Sequence, residues 1–83
     1  MDPTTVAQLA DRVQQLDGTG EVLSLSWHAG DMPEERIWLL DLHGAVIAEL
    51  RRRGVNPQGT VVRDEPGVEH YAIHLAPPRD EPV

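Results

Sequence analysis

The interval between apolar residues changes repeatedly along this chain, and that constrains its fold more than any other feature. Val6, Leu9, Val13 and Leu16 recur at spacings of 3, 4 and 3, which lines one face of a helix. After Asp17-Gly18-Thr19-Gly20 the interval falls to two. Leu23, Leu25 and Trp27 now alternate with Ser24, Ser26 and His28, as on a half-buried strand. Leu39, Leu42, Val46 and Leu50 restore the helical interval, and Tyr71, Ile73 and Leu75 return to alternation. In 83 residues this succession predicts a small two-layer α+β domain of order α-β-α-β-β, with a short, mainly antiparallel sheet covered by helices.

Local signals set the boundaries. Asp2-Pro3 reads as an N-cap followed by proline at the first helical position, so the first helix is expected over 3–17, with Gly18 as its stop. Asp31 ahead of Met32-Pro33-Glu34-Glu35 marks a second start with acid in the first turn, giving a helix over 33–53 that ends at Gly54. Gly44 weakens that segment by about 1 kcal/mol relative to alanine. An alternative therefore turns Arg36–Leu42 into a strand paired with 21–28, for the order α-β-β-α-β-β. Asn56-Pro57-Gln58-Gly59 reads as a turn, 60–63 and 68–75 as strands, and Asp64-Glu65-Pro66-Gly67 as the hairpin loop between them.

The expected core is Val6, Leu9, Val13, Leu16, Leu23, Leu25, Trp27, Leu39, Leu42, Val46, Leu50, Val61, Tyr71, Ile73 and Leu75. Residues 1–76 are expected to form a single domain. The three prolines and mixed charges of 77–83 predict a disordered tail.

Composition removes whole classes of chemistry. With no cysteine, disulfides, thiolate nucleophiles and Cys-ligated metals are excluded. All seven cationic residues are arginine, which excludes a Schiff-base lysine and a phosphate-binding GxxxxGK[ST] loop. Arginine-only usage with abundant Ala, Gly and Pro suggests a GC-rich, bacterial coding genome. Trp27, Trp38 and Tyr71 are the only aromatic residues, too few to stack a single-stranded nucleic acid. The net charge of −7 repels a phosphate backbone. The chain has no apolar run long enough to span a membrane and opens on Met1-Asp2-Pro3, so a cytoplasmic protein is expected.

The remaining constellations each have an ordinary reading. His70 and His74 share a strand face but stand about 13 Å apart; His28, on the same outer face, could approach one of them, with Glu69 or Asp64 as a further donor. Ser26 could touch His28, yet no oxyanion hole accompanies the pair. Gly18-Thr19-Gly20 precedes a strand, where a dinucleotide fingerprint would follow one. Glu34-Glu35 and Asp64-Glu65 fit a helix start and a hairpin tip. His43 borders the second apolar stripe. No catalytic, cofactor-binding or metal-binding residue is assigned, and no cofactor is expected.

The chain is therefore read as a non-catalytic protein-interaction module: an accessory or regulatory subunit, or a self-associating domain in the form of a dimer. Ile37 and Trp38 point away from the Leu39/Leu42/Val46/Leu50 stripe, and tryptophan is enriched at binding hot spots. With Arg51 and Arg52 they form the candidate partner-binding set. Arg51-Arg52-Arg53 also suits the negative end of a helix. The first alternative rests on element order: helix, strand, helix and hairpin resemble a winged helix-turn-helix, which implies nucleic-acid binding with 45–53 as recognition helix and Asp64–Gly67 as wing. The acidic tip faces phosphate with the wrong sign. The second alternative is a metal or small-molecule site at His28, His70 and His74.

Overall fold

The computed structural model describes residues 2–76; the expected tail at 77–83 lies outside them. Two helices, α1 (Pro3–Leu16) and α2 (Pro33–Arg52), pack on one face of a three-stranded sheet made of β1 (Leu23–His28), β2 (Pro57–Glu65) and β3 (Val68–Leu75). The order is α-β-α-β-β, the class is α+β, and the sheet runs β1-β3-β2 with both pairings antiparallel.

α1 starts where the cap predicts. The Asp2 carboxylate accepts from the Thr4 amide at 2.9 Å, and Pro3 occupies a position whose N–H would have had no partner. The helix buries Val6, Ala10, Val13 and Leu16. Leu9, expected in the core, is half-buried at its margin; Ala10 takes the fully covered position, where its small side chain lets α1 approach closely. The last turn closes on the Leu16 carbonyl, which accepts from the amide of Thr19 at 3.1 Å and from its hydroxyl at 2.6 Å.

The long helix is the arrangement the chain adopts. α2 buries Leu39, Leu42, Val46 and Leu50, each contributing about 1.5–3 kcal/mol, which far exceeds the cost of Gly44. Gly44 lies on an outward flank with nothing within 4 Å of a side chain placed there. Asp31 is not the cap. Met32 holds that position with no side-chain hydrogen bond, because the Asp31 carboxylate accepts from the His28 amide at 2.9 Å instead.

Two boundaries of the hairpin differ from expectation. β2 begins at Pro57, inside the segment read as a turn. Pro57 stands opposite Leu75 at a position whose nitrogen faces away from β3, so no ladder bond is lost. The loop shrinks to Pro66-Gly67, since Glu65 pairs with Val68, and Gly67 supplies the positive φ of 76° that the tight turn needs.

β3 carries the inner face, with Glu69, Tyr71 and Ile73 buried under the helices. Leu23, Leu25 and Leu75 pack half-buried at the rim of the core. Trp27 is half-buried with its indole N–H donating to the Met32 carbonyl at 3.2 Å. Val61, expected in the core, is 39% exposed: on β2 the buried residue is Pro57 and α2 comes closest at Gly59, leaving Val61 only partly covered.

α2 touches β2 at one point of close approach. A side-chain carbon on Gly59 would stand 2.5 Å from the Ile47 Cδ1 and 2.7 Å from the His43 Cε1. The His43 ring is fixed there. Its Nε2 hydrogen-bonds the Ala72 carbonyl at 3.0 Å, and its ring meets Tyr71 edge-on at 5.9 Å. Sequence placed His43 at the border of the stripe; the structure shows it anchoring the helix to the sheet.

Candidate interaction surface

Helical geometry sorts the residues of α2 that the core does not use. Ile37, Leu40, Gly44, Ile47 and Arg51 follow at steps of 3, 4, 3 and 4, which places them in one row. Ile47 reaches over Gly59, so this row overlooks β2. Arg36 contacts Glu69 near one end of β2 and His43 sits over Gly59; α2 therefore runs antiparallel to β2, and Leu40 falls level with Val61. Ile37 is 63% and Leu40 46% exposed. Trp38, 51% exposed, projects about 100° further round the helix, away from this row.

Arg51 and Arg52 lie 14 residues beyond Ile37 and Trp38, about 21 Å along the axis. The four candidate partner-binding residues thus occupy one helix but two ends and two flanks of it. Arg52 donates to Glu49 at 2.9 Å. Arg51 has no ion pair among the described residues. Arg53 is structural, bonding Glu49 on its own helix and Asp11 and Gln14 of α1 at 2.9, 2.7 and 2.7 Å. Those contacts tie the two helices together and draw the Glu49 carboxyl below its ordinary range, Arg53 contributing most and Arg52 next.

The edge of β2 is the second component. The Ala76 amide donates to the Asn56 carbonyl at 2.9 Å in the register that sets Pro57 opposite Leu75. Antiparallel ladders alternate, so Thr60 and Val62 bond to β3 while Gly59 and Val61 turn their N–H and C=O outward. The opposite edge of the sheet is partly closed. By the same alternation His28 faces outward from β1, and Asp31 takes both of its backbone groups, its carboxylate accepting from the amide at 2.9 Å and its own amide donating to the carbonyl at 2.8 Å.

A buried carboxylate holds this arrangement in place. Glu69 is 5% exposed, and Arg36 grips both of its oxygens while Arg63 donates through Nε at 2.6 Å and the Tyr71 hydroxyl donates at 3.1 Å. These partners lower its pKa from 4.5 to about 2, Arg63 contributing most, then Arg36, against the opposing effect of burial. Arg36 also lies over the Trp27 ring, 5.5 Å from its centroid. The cluster clamps the N-terminal half of α2 to β3 and so fixes Ile37 and Leu40 beside the β2 edge. An open cleft of about 560 Å³ borders it, lined in part by Trp27, Arg36 and Arg63. Alternation along β3 put Glu69 on the inner face with Tyr71 and Ile73; a charged residue at such a position signals a paired arginine.

The other candidates fall apart spatially. Ser26 lies opposite His70, and its hydroxyl is 2.7 Å from the His70 Nδ1, whereas His28 lies opposite Val68. The expected Ser26–His28 contact is replaced by this cross-strand pair. His28 approaches Asp31 at 3.7 Å and His70 approaches Asp64 at 4.0 Å, while His74 stands opposite Gln58. Among the described residues no three His, Asp or Glu side chains converge as a metal site, and no helix is long and apolar enough to cross a membrane. The segment read as a recognition helix, 45–53, falls in the C-terminal half of α2, which is unbroken from 33 to 52. Comparison of the chain with protein-family models, with characterised proteins and with solved structures gave no match.

Proposed function

We propose that this chain is a non-catalytic protein-interaction module of the bacterial cytoplasm, a self-associating domain or a regulatory subunit, which recognises its partner through α2 and the neighbouring β2 edge. The observation that carries this reading is the exposure of Ile37, Trp38 and Leu40 on a helix whose core positions are already filled by four other apolar side chains. Large apolar groups exposed on a rigid element mark interaction sites. The Glu69 clamp supplies the rigidity. Its chemistry is that of a structural ion pair, since the carboxylate is saturated by three donors.

The test combines sedimentation velocity of the pure chain with affinity capture from the host extract, using the native chain and a Ile37→Glu/Trp38→Ala variant checked for folding by circular dichroism. The reading expects either concentration-dependent mass or a captured protein, and expects the variant to lose it. A chain that stays monomeric and retains the same proteins with and without the two substitutions contradicts it.

A further inference from the structure

Resting on the interaction reading above, we infer that the partner covering the β2 edge is a second copy of this chain, joined antiparallel, β2 to β2, about a twofold axis at Thr60. Three observations favour a copy. The first is the edge itself. Its straight part lies between Pro57, which lacks an N–H, and the irregularity after Val62, so it is centred on Thr60. Gly59 and Val61 are the outward-facing residues on either side of that centre, and a twofold there sets Gly59 of each copy opposite Val61 of the other. Each pair then exchanges two main-chain hydrogen bonds, and the two three-stranded sheets become one of six.

The second observation is the charge along α2. Its first turn holds Glu34 and Glu35 and its last turn Arg51 and Arg52. A twofold normal to the sheet puts both copies of α2 on the same face, running in opposite directions. The acidic start of each helix then lies toward the basic end of the other, where Arg51 sits in the β2-facing row and Arg52 is held by Glu49, and an isologous contact is by nature self-complementary. Leu40 and Ile37 of the two copies line the space between the helices above Val61.

The third observation is the contrast between the edges. On β1 the backbone of His28 is capped by Asp31, whereas on β2 Val61 and Val62, 39% and 40% exposed, occupy the middle of an open edge. Pro57 and the irregularity after Val62 blunt the two ends of this edge, and exposed β-branched residues on the open stretch between them invite pairing with another strand.

The absence of cysteine from the chain makes the register directly testable. Thr60 would face its own copy in a non-hydrogen-bonded pair with Cα atoms about 4.5 Å apart, within the range that a disulfide spans. Thr60→Cys is expected to form an interchain disulfide on mild oxidation, and Ser24→Cys, also exposed but on β1, is expected to remain a thiol. Sedimentation equilibrium in about 0.15 M salt, where charge is screened beyond about 8 Å, should give twice the 9.2 kDa chain mass. Val61→Pro removes an outward N–H without touching the β3 ladder. With one such bond lost per copy, it should weaken the dimer about 30-fold, and Leu40→Glu should weaken it through the helix flank.

A chain that sediments as a monomer up to about 1 mM, or whose Thr60→Cys form oxidises no faster than the Ser24→Cys control, overturns the dimer. If that monomer still captures a host protein through Ile37 and Trp38, the interaction reading stands while the copy is ruled out.

Discussion

Replacing Gly59 by alanine tests the contact on which helix and sheet are built. The added methyl would stand 2.5 Å from the Ile47 Cδ1, 2.7 Å from the His43 Cε1 and 3.0 Å from its Nε2. Real carbon contacts begin well beyond these distances, so both neighbours must move. Ile47 can swing its terminal carbon at about 0.5–1.5 kcal/mol. The His43 ring has no such freedom, since moving it breaks the bond to the Ala72 carbonyl, worth about 1 kcal/mol, and its packing on Tyr71. Alanine returns about 0.5–1 kcal/mol through reduced freedom of the unfolded chain. The net expected loss is therefore about 1–2 kcal/mol.

Urea unfolding followed by circular dichroism measures it. With a slope near 1 kcal/mol/M for a small domain, the midpoint should fall by about 1–2 M at unchanged slope. A double-mutant cycle locates the cause. In a His43→Ala background the same substitution should cost at least about 1 kcal/mol less, because contacting residues are coupled. A Gly59→Ala protein as stable as the parent, or a cycle with no coupling, would refute the close approach of α2 to β2.

Other substitutions probe separate layers of the structure. Leu42→Ala, at a site 2% exposed in the core, should cost about 2–5 kcal/mol in the same urea assay. Asp2→Ala removes the acceptor for the Thr4 amide and should cost about 1 kcal/mol, with the loss of signal confined to α1 in hydrogen exchange. The depressed pKa of Glu69 makes a signed prediction. The folded protein holds this carboxylate ionised to about pH 2, against 4.5 ordinarily, so between those values the unfolded chain binds more protons. Its stabilising effect is complete above about pH 4.5 and is lost as pH falls towards 2. Glu69→Gln should lower the midpoint at neutral pH and flatten its decline between 4.5 and 2; an unchanged slope there would show that the clamp is not what titrates.

Much of this was legible in the chain because local and global preferences agree. Asp2-Pro3, the 3-4-3 spacing and the alternation around Leu25 and Tyr71 each name one kind of element. Residues 36–42 are helical despite Gly44, which faces open space and costs only its intrinsic propensity. The errors share a different cause, namely dependence on what lies across the fold. Asn56-Pro57-Gln58-Gly59 has the composition of a turn, yet Pro57 sits at the unbonded side of an edge strand and Gly59 makes room for His43 and Ile47. Asp31 has the form of a cap but serves the His28 backbone. Val61 alternates like a core residue, but on the edge strand it is covered only in part and stays 39% exposed. At the surface, the helical period alone singled out Ile37 and Trp38. The part played by Leu40 and the β2 edge required the sheet order and the position of α2 above it.

Amide hydrogen exchange, read residue by residue at increasing protein concentration, reports whether a partner covers the β2 edge. Thr60 and Val62 donate within the sheet and should be protected at every concentration. Gly59 and Val61, whose amides face outward, should exchange quickly in dilute solution and become protected as the concentration rises, while Ser24 and Ser26 on the opposite edge should not change. Exchange of the Val61 amide that stays fast and independent of concentration, in the pure chain and with any captured partner alike, would show that nothing covers this edge and that it is not the interaction surface.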